Sequence, residues 1–228
     1  MIIGGIQKTS TIDFPGVISC VLFCRGCNLN CFYCHNRDLI YSFGKSLDDD
    51  YLWSFLKKRA GLLDGVVISG GEPTLQKDLG EFILELKKLK YKIKLDTNGQ
   101  NPKKVKELCE SGVLDYAAVD IKAVLFDYAS VCGSSGFLKA VETVDALQES
   151  GVPFEVRTTL YPGLTAEKFM LLLASLPEMQ RWRLNYFIMP EKYLEQDTER
   201  LREYALTKAD IEKILPELLK IQPNLIYD

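Results

Sequence analysis

The chain has 228 residues, of which 47% are hydrophobic and 26% charged, and its net charge is −3. That composition suits a globular protein with one sizeable core, and it offers no general attraction for nucleic acid or an anionic membrane surface. The opening residues Met1 to Gly5 lack the basic region and apolar core of a secretory leader, and no apolar run nears the roughly 20 residues of a membrane span. A cytoplasmic protein with neither nucleic acid nor membrane as partner is the resulting expectation.

Pro15-Gly16 reads as a turn after an irregular opening segment over residues 3–16. The apolar, β-branched run from Val17 to Cys24 then predicts a buried first strand. Directly after it comes Cys27-Asn28-Leu29-Asn30-Cys31-Phe32-Tyr33-Cys34, three thiols in eight residues. Seven cysteines is an odd count, and their clustering favours a metal over a disulfide framework. Thiolates are soft ligands suited to iron–sulfur clusters or zinc. Cys20, Cys24 and Cys27 repeat the same spacing, but strand alternation points neighbouring side chains to opposite faces. The segment from Arg25 to Asn30 carries Gly and Asn and can wrap, so Cys27, Cys31 and Cys34 are the expected ligand set. A structural zinc site completed by His35, the one histidine, and a closed electron-transfer cluster completed by Cys24 are the rival readings.

Further along, Ser46 and Asp49 read as a capping box opening a helix with Leu52, Phe55 and Leu56 on one face. The second strand, from Gly65 to Ser69, ends in Gly70-Gly71-Glu72-Pro73. A helix bearing Leu79, Phe82, Ile83, Leu86 and Leu89 leads to a third strand, Tyr91 to Leu95, which ends in Asp96-Thr97-Asn98-Gly99. Asn101 and Pro102 read as N-cap and first turn of a helix that Gly112 ends. The fourth strand, Leu114 to Val119, runs into Asp120-Ile121-Lys122. Cys132 to Gly136 reads as a flexible loop before a helix from Phe137 to Ser150. The fifth strand, Phe154 to Leu160, carries Arg157, and Thr165 caps the next helix. The sixth spans Arg183 to Met189, and Thr207 with Asp210 opens a last helix over about 207–220.

This alternation of strand and helix demands a parallel sheet covered by helices, as an open doubly wound sheet or a curved partial barrel. One domain over residues 1–228, with its core over about 16–190, is expected. Each strand ends in polar groups: the cysteines, Glu72, Asp96, Asp120 with Lys122, and Arg157. In a parallel sheet those ends open on one face. A zwitterionic ligand needs such a mixture of cations, carboxylates and apolar surface. Gly70 and Gly71 would let backbone approach that ligand.

The cysteine spacing with Tyr33 before the last thiol, together with Gly70-Gly71-Glu72-Pro73, resembles the radical S-adenosylmethionine (SAM) enzymes. That resemblance implies a partial (β/α)6 barrel of α/β class and a [4Fe-4S] cluster on Cys27, Cys31 and Cys34 with one open iron. In the family that iron binds the amino and carboxylate groups of SAM, which reduction splits into methionine and a 5'-deoxyadenosyl radical. Asp96-Thr97-Asn98-Gly99, Asp120-Ile121-Lys122, Arg157, Asp13-Phe14-Pro15-Gly16 and Cys34-His35-Asn36 are similar to one branch, the glycyl-radical-enzyme activating enzymes. The likeness implies that Tyr33, Gly70, Gly71, Glu72, Asp96, Asn98, Asp120, Lys122 and Arg157 form the SAM site, with a monovalent cation near Asp96 and Asp120. It also implies a separate glycyl radical enzyme as partner, anaerobic ribonucleoside-triphosphate reductase first among them, and flavodoxin or ferredoxin as reductant. Outside the N-terminal group only Cys109 and Cys132 remain, too few for a second four-cysteine cluster. A radical SAM enzyme acting on a small metabolite (similar to 7-carboxy-7-deazaguanine synthase) and a non-enzymatic iron–sulfur carrier are the alternatives.

Overall fold

In the computed structural model, which describes residues 1–227, eight strands form one sheet in chain order. β1 (Ile3–Ser10) runs antiparallel to β2 (Ser19–Cys24). α1 (Asp49–Arg59) leads to β3 (Gly65–Gly70), α2 (Leu79–Lys88) to β4 (Lys92–Thr97), and α3 (Pro102–Glu110) to β5 (Tyr116–Asp120). α4 (Tyr128–Cys132) and α5 (Phe137–Ser150) precede β6 (Phe154–Leu160), and α6 (Ala166–Leu173) precedes β7 (Trp182–Tyr186). α7 (Thr198–Leu201) and α8 (Lys208–Ile221) lead to the two-residue β8 (Leu225–Ile226). From β2 to β8 every neighbour is parallel.

The strand order answers a question that periodicity leaves open. A doubly wound sheet reverses direction at a switch point, whereas here each strand pairs with the next in sequence. Right-handed crossovers in a constant direction put all helices on one face and curl the sheet around the other. The sheet is therefore an incomplete barrel, bounded by β1 and β8 rather than closed. The helices bury stripes such as Leu79, Phe82, Ile83 and Leu86 of α2 against its outside.

The predicted elements are found within a few residues, and two strands are added at the edges. β1 occupies the segment read as an irregular prelude. Its glycines and exposed polar residues mute the strand pattern, and pairing with β2 supplies the order. β8 is too short to carry a periodicity. Asp48, not Ser46, caps α1 by accepting from the Tyr51 amide at 2.9 Å. Asn101 sits at the N-cap position of α3, but its side chain donates to the Thr74 carbonyl at 3.1 Å instead of capping. Cys132 does not belong to a flexible loop: it is the last residue of α4 and fully buried. Thr165 and the Thr207–Asp210 capping box hold α6 and α8 as predicted. Trp182 is core, and its indole donates to Thr158 Oγ1 at 3.1 Å.

Candidate active site

At the C-terminal ends of the strands lies a cavity of about 370 Å3. The loop after β2 forms its first wall and brings Cys27, Cys31, Tyr33 and Cys34 to it. The loop is folded back on itself: the Gly26 amide donates to Leu39 and the Cys27 amide to Ile40, both at 2.8 Å. Buried Arg25 donates to the carbonyls of Asp38 and Lys45 at 2.7 Å and of Phe43 at 3.0 Å. Arg37 reaches the Cys31 carbonyl at 3.1 Å and Asn30 Oδ1 at 2.6 Å. Aromatic contacts fix the far side. Tyr33 stacks on Tyr161 with centroids 5.3 Å apart, and the Arg200 guanidinium lies 3.9 Å from the Phe32 ring centroid. A loop without repeating backbone pairing is thereby held in one shape.

The thiols differ in their surroundings. Burial pushes Cys27 up to about 11 and raises Cys34 as well. Cys31 is instead drawn down, chiefly under the influence of the Cys132 thiol. Cys20 and Cys24 are fully buried in β2 and do not line the cavity. The rival reading with Cys24 as a fourth ligand thus has no geometric support.

The second wall is the end of β3. Gly70 and Gly71 both line the cavity, and the backbone behind them also leaves no room for a Cβ. Gly70 has φ +113°, and a Cβ there would stand 2.3 Å from the Cys24 amide nitrogen. One on Gly71 would stand 2.3 Å from the Gly26 carbonyl oxygen. Glu72 departs from expectation. It is fully buried and absent from the cavity wall. Its carboxylate accepts from the Thr74 amide at 3.1 Å, Thr74 Oγ1 at 2.6 Å, Thr97 Oγ1 at 2.8 Å and the Asn98 amide at 2.7 Å. Glu72 therefore ties the end of β3 to the end of β4, and a direct ligand contact from its side chain is not what this geometry offers. Glu72→Gln would turn an NH2 group toward one of these donors. A loss of about 1–3 kcal/mol in chemical denaturation is expected, with no residue of the cavity wall altered.

The third wall is a frame of charges on β4, β5 and β6. Arg157 bridges two carboxylates, Asp96 at 3.0 Å and Asp120 at 2.9 Å, and Lys122 pairs with Asp120 at 3.1 Å. Burial alone would raise the Asp120 carboxyl, but Arg157 and Lys122 outweigh it and hold it at about 2. Lys122 is likewise opposed by burial and raised overall by Asp120. Beneath them, buried Lys94 lies 3.3 Å from Asp96 Oδ1 and from Glu155 Oε1. The Lys94–Asp96 contact lacks hydrogen-bond geometry, so Asp96 Oδ1 has no hydrogen-bond donor, and the buried Tyr33 hydroxyl has no partner either. Asn98 closes the frame against the cysteine loop, donating to Asn28 Oδ1 at 2.8 Å and lying 3.7 Å from Cys27 Sγ.

Sequence reasoning missed several wall residues. Asp13 and the Asn185–Ile188 segment both line the cavity. Asp13 was named only as part of a motif, and the later segment carries no chemical signature beyond its place after β7. Cys132, Tyr161 and Arg200 act on the cysteine loop from elements far away in sequence, which no spacing could reveal.

Three soft donors face a cavity much larger than an ion, and among the described residues no three His, Cys, Asp or Glu side chains converge on a single ion. Beside them stands an ion frame that joins Asp96, Arg157, Asp120 and Lys122. This donor set fits a polynuclear iron–sulfur group with an incomplete protein ligand set, next to a zwitterionic organic ligand.

The comparisons agree with that class. The family model of the radical SAM superfamily matches residues 21–176, so the chain belongs to that superfamily. A Methanocaldococcus jannaschii protein provisionally named as a glycyl-radical enzyme activating enzyme is 34% identical over 180 residues, covering 73% of this chain and 71% of the relative. The pyruvate formate-lyase-activating enzyme of Clostridium pasteurianum is 33% identical over 181 residues, covering 73% and 71%. Within the superfamily the chain thus falls in the branch of glycyl-radical-enzyme activating enzymes. Among solved structures, anSMEcpe with bound AdoMet overlays with a TM-score of 0.64 at 22% identity, covering 86% of this chain. The chain spans 57% of that protein's length, and the likeness is one of fold. Among the described residues no helix is long and apolar enough to cross a membrane.

Proposed function

We propose that this chain is an activase that binds a [4Fe-4S] cluster through Cys27, Cys31 and Cys34, binds SAM beside it, and generates a glycyl radical on a separate enzyme. The observation that carries the reading is the meeting of three thiols and the Asp96–Arg157–Asp120–Lys122 frame on one cavity. When bound at Cys27, Cys31 and Cys34, a cluster reduced by an external one-electron donor would supply the electron for reductive cleavage of SAM. The chain's own groups bind and orient. Lys122 and Arg157 offer positive charge to a carboxylate. Arg157 stands between Asp96 and Asp120, where the family resemblance implies a monovalent cation, so an internal charge already serves both carboxylates.

Neither a general base nor a histidine is needed for hydrogen-atom transfer, which agrees with the sole histidine, His35, lying exposed at the cavity wall. The partner to test first is anaerobic ribonucleoside-triphosphate reductase, with flavodoxin or ferredoxin as electron source. The reconstituted protein, dithionite and SAM are to be mixed anaerobically with the purified reductase. The expected result is a glycyl EPR signal with stoichiometric 5'-deoxyadenosine. Deoxyadenosine without a glycyl signal, on this reductase and on pyruvate formate-lyase alike, would overturn the activase reading in favour of a small-metabolite substrate. Failure of a reduced, cluster-loaded protein to cleave SAM would overturn both.

A further inference from the structure

The cysteine loop is flanked by two buried guanidiniums, and neither has a carboxylate partner. Arg25 and Arg37 are each 8% exposed. Arg25 donates only to backbone carbonyls, those of Asp38, Tyr41, Phe43 and Lys45. Arg37 donates to the Cys31 carbonyl at 3.1 Å and to Asn30 Oδ1 at 2.6 Å, and among the described residues neither arginine forms an ion pair. Asp38, the carboxylate next to Arg37 in sequence, is 61% exposed and pairs with Lys192 instead. Arginine is seldom buried without an opposite charge, because neutral acceptors return only part of the hydration it gives up. A buried cation here points to an anion that completes it. Of the two, Arg37 is the one bonded to a cysteine of the cavity wall, and it does not itself line the cavity, so it stands behind the loop.

We propose that Arg37 is a positioning residue whose guanidinium holds the Cys31 arm of the loop and supplies a fixed counter-charge to the cluster that Cys27, Cys31 and Cys34 hold, raising its reduction potential. The inference rests on the reading of those three thiols as ligands. A dicationic cluster core on three thiolates is a net anion, and one-electron reduction makes it more negative. A cation beside it stabilises the reduced form more than the oxidised one, and burial limits the screening of that charge by water. The bonds to Cys31 and Asn30 fix the guanidinium in advance, so its charge is in place before the electron arrives. From behind the loop Arg37 adds no ligand and does not touch what the cavity binds.

The test is an EPR-monitored redox titration of the full chain, anaerobically reconstituted, unaltered and as Arg37→Gln and Arg37→Lys, with iron content measured alongside. Glutamine keeps an NH2 donor and loses the charge. At a fixed poise its reduced-to-oxidised ratio is expected to fall about tenfold. For a one-electron couple tenfold corresponds to a midpoint about 59 mV more negative. Lysine keeps the charge and loses the planar fork, and a change below about threefold is expected. Loss of iron from Arg37→Gln with retention in Arg37→Lys would equally assign the role to charge. Equal shifts in both variants would reduce Arg37 to a holder of the loop and overturn the proposal, as would an unshifted Arg37→Gln or loss of iron from both. An unaltered chain that assembles no cluster would instead overturn the ligand reading itself.

Discussion

Cys31→Ala is expected to abolish iron–sulfur assembly, and Cys27→Ala and Cys34→Ala to do the same. Each removes one of only three soft donors on the cavity wall. The measurements are iron and sulfide content and the visible absorption of the anaerobically reconstituted protein. SAM cleavage should fall to the level of buffer in all three variants. Cys24→Ser is the control with the opposite expectation. Cys24 is buried in β2, outside the wall, so cluster content should be retained with a modest loss of stability. Loss of the cluster in Cys24→Ser with retention in Cys34→Ala would shift the ligand set by one repeat and undo the assignment.

Arg157→Ala is the second large effect. Removing the guanidinium leaves Asp96 and Asp120 facing each other without the charge that joins them, at side-chain exposures of 9% and 27%. Deleting one member of a buried ion set costs about 3–5 kcal/mol, because the remaining charges stay desolvated. The affinity for SAM, measured by calorimetry on the cluster-loaded protein, is expected to fall about 100-fold or more. Arg157→Lys keeps the charge but cannot bond both carboxylates in one plane, so an intermediate loss is expected. The same frame sets an acid limb. Asp120 is held at about 2 against an ordinary 3.8, so its contribution of about 2 kcal/mol is present above the ordinary value and lost as pH falls toward 2. With Arg157→Ala, Asp120 keeps only Lys122, and acid unfolding followed by circular dichroism should lose part of that pH dependence. An unchanged SAM affinity in Arg157→Ala would show that the frame lies outside the binding site.

Much of this site was legible because its chemistry is written locally. The three-thiol spacing is contiguous, and the polar tails of β3, β4 and β5 follow recognisable strands. Parallel strands aim such tails at one face whatever the details of packing. What could not be read depends on side-chain direction or on distant partners. Glu72 sits in the most distinctive motif of the wall, yet its carboxylate turns inward to Thr74, Thr97 and Asn98. A sequence shows that a carboxylate is present, not which way it turns. Cys132, Tyr161 and Arg200 meet the cysteine loop only after the sheet has curled, and nothing at positions 27–34 announces them. β1 was hidden for another reason. Its glycines and polar residues carry little strand preference, and its order comes from pairing with β2.

The strictly sequential strand order has a consequence for biosynthesis. Each strand from β2 onward finds its partner in the strand that left the ribosome just before it, so the sheet can lengthen by one crossover at a time without waiting for distant sequence. The contacts that secure the cysteine loop do not share this economy. Val131 and Cys132, then Tyr161, then Arg200 arrive in succession, and each closes a longer stretch of chain onto the same short loop.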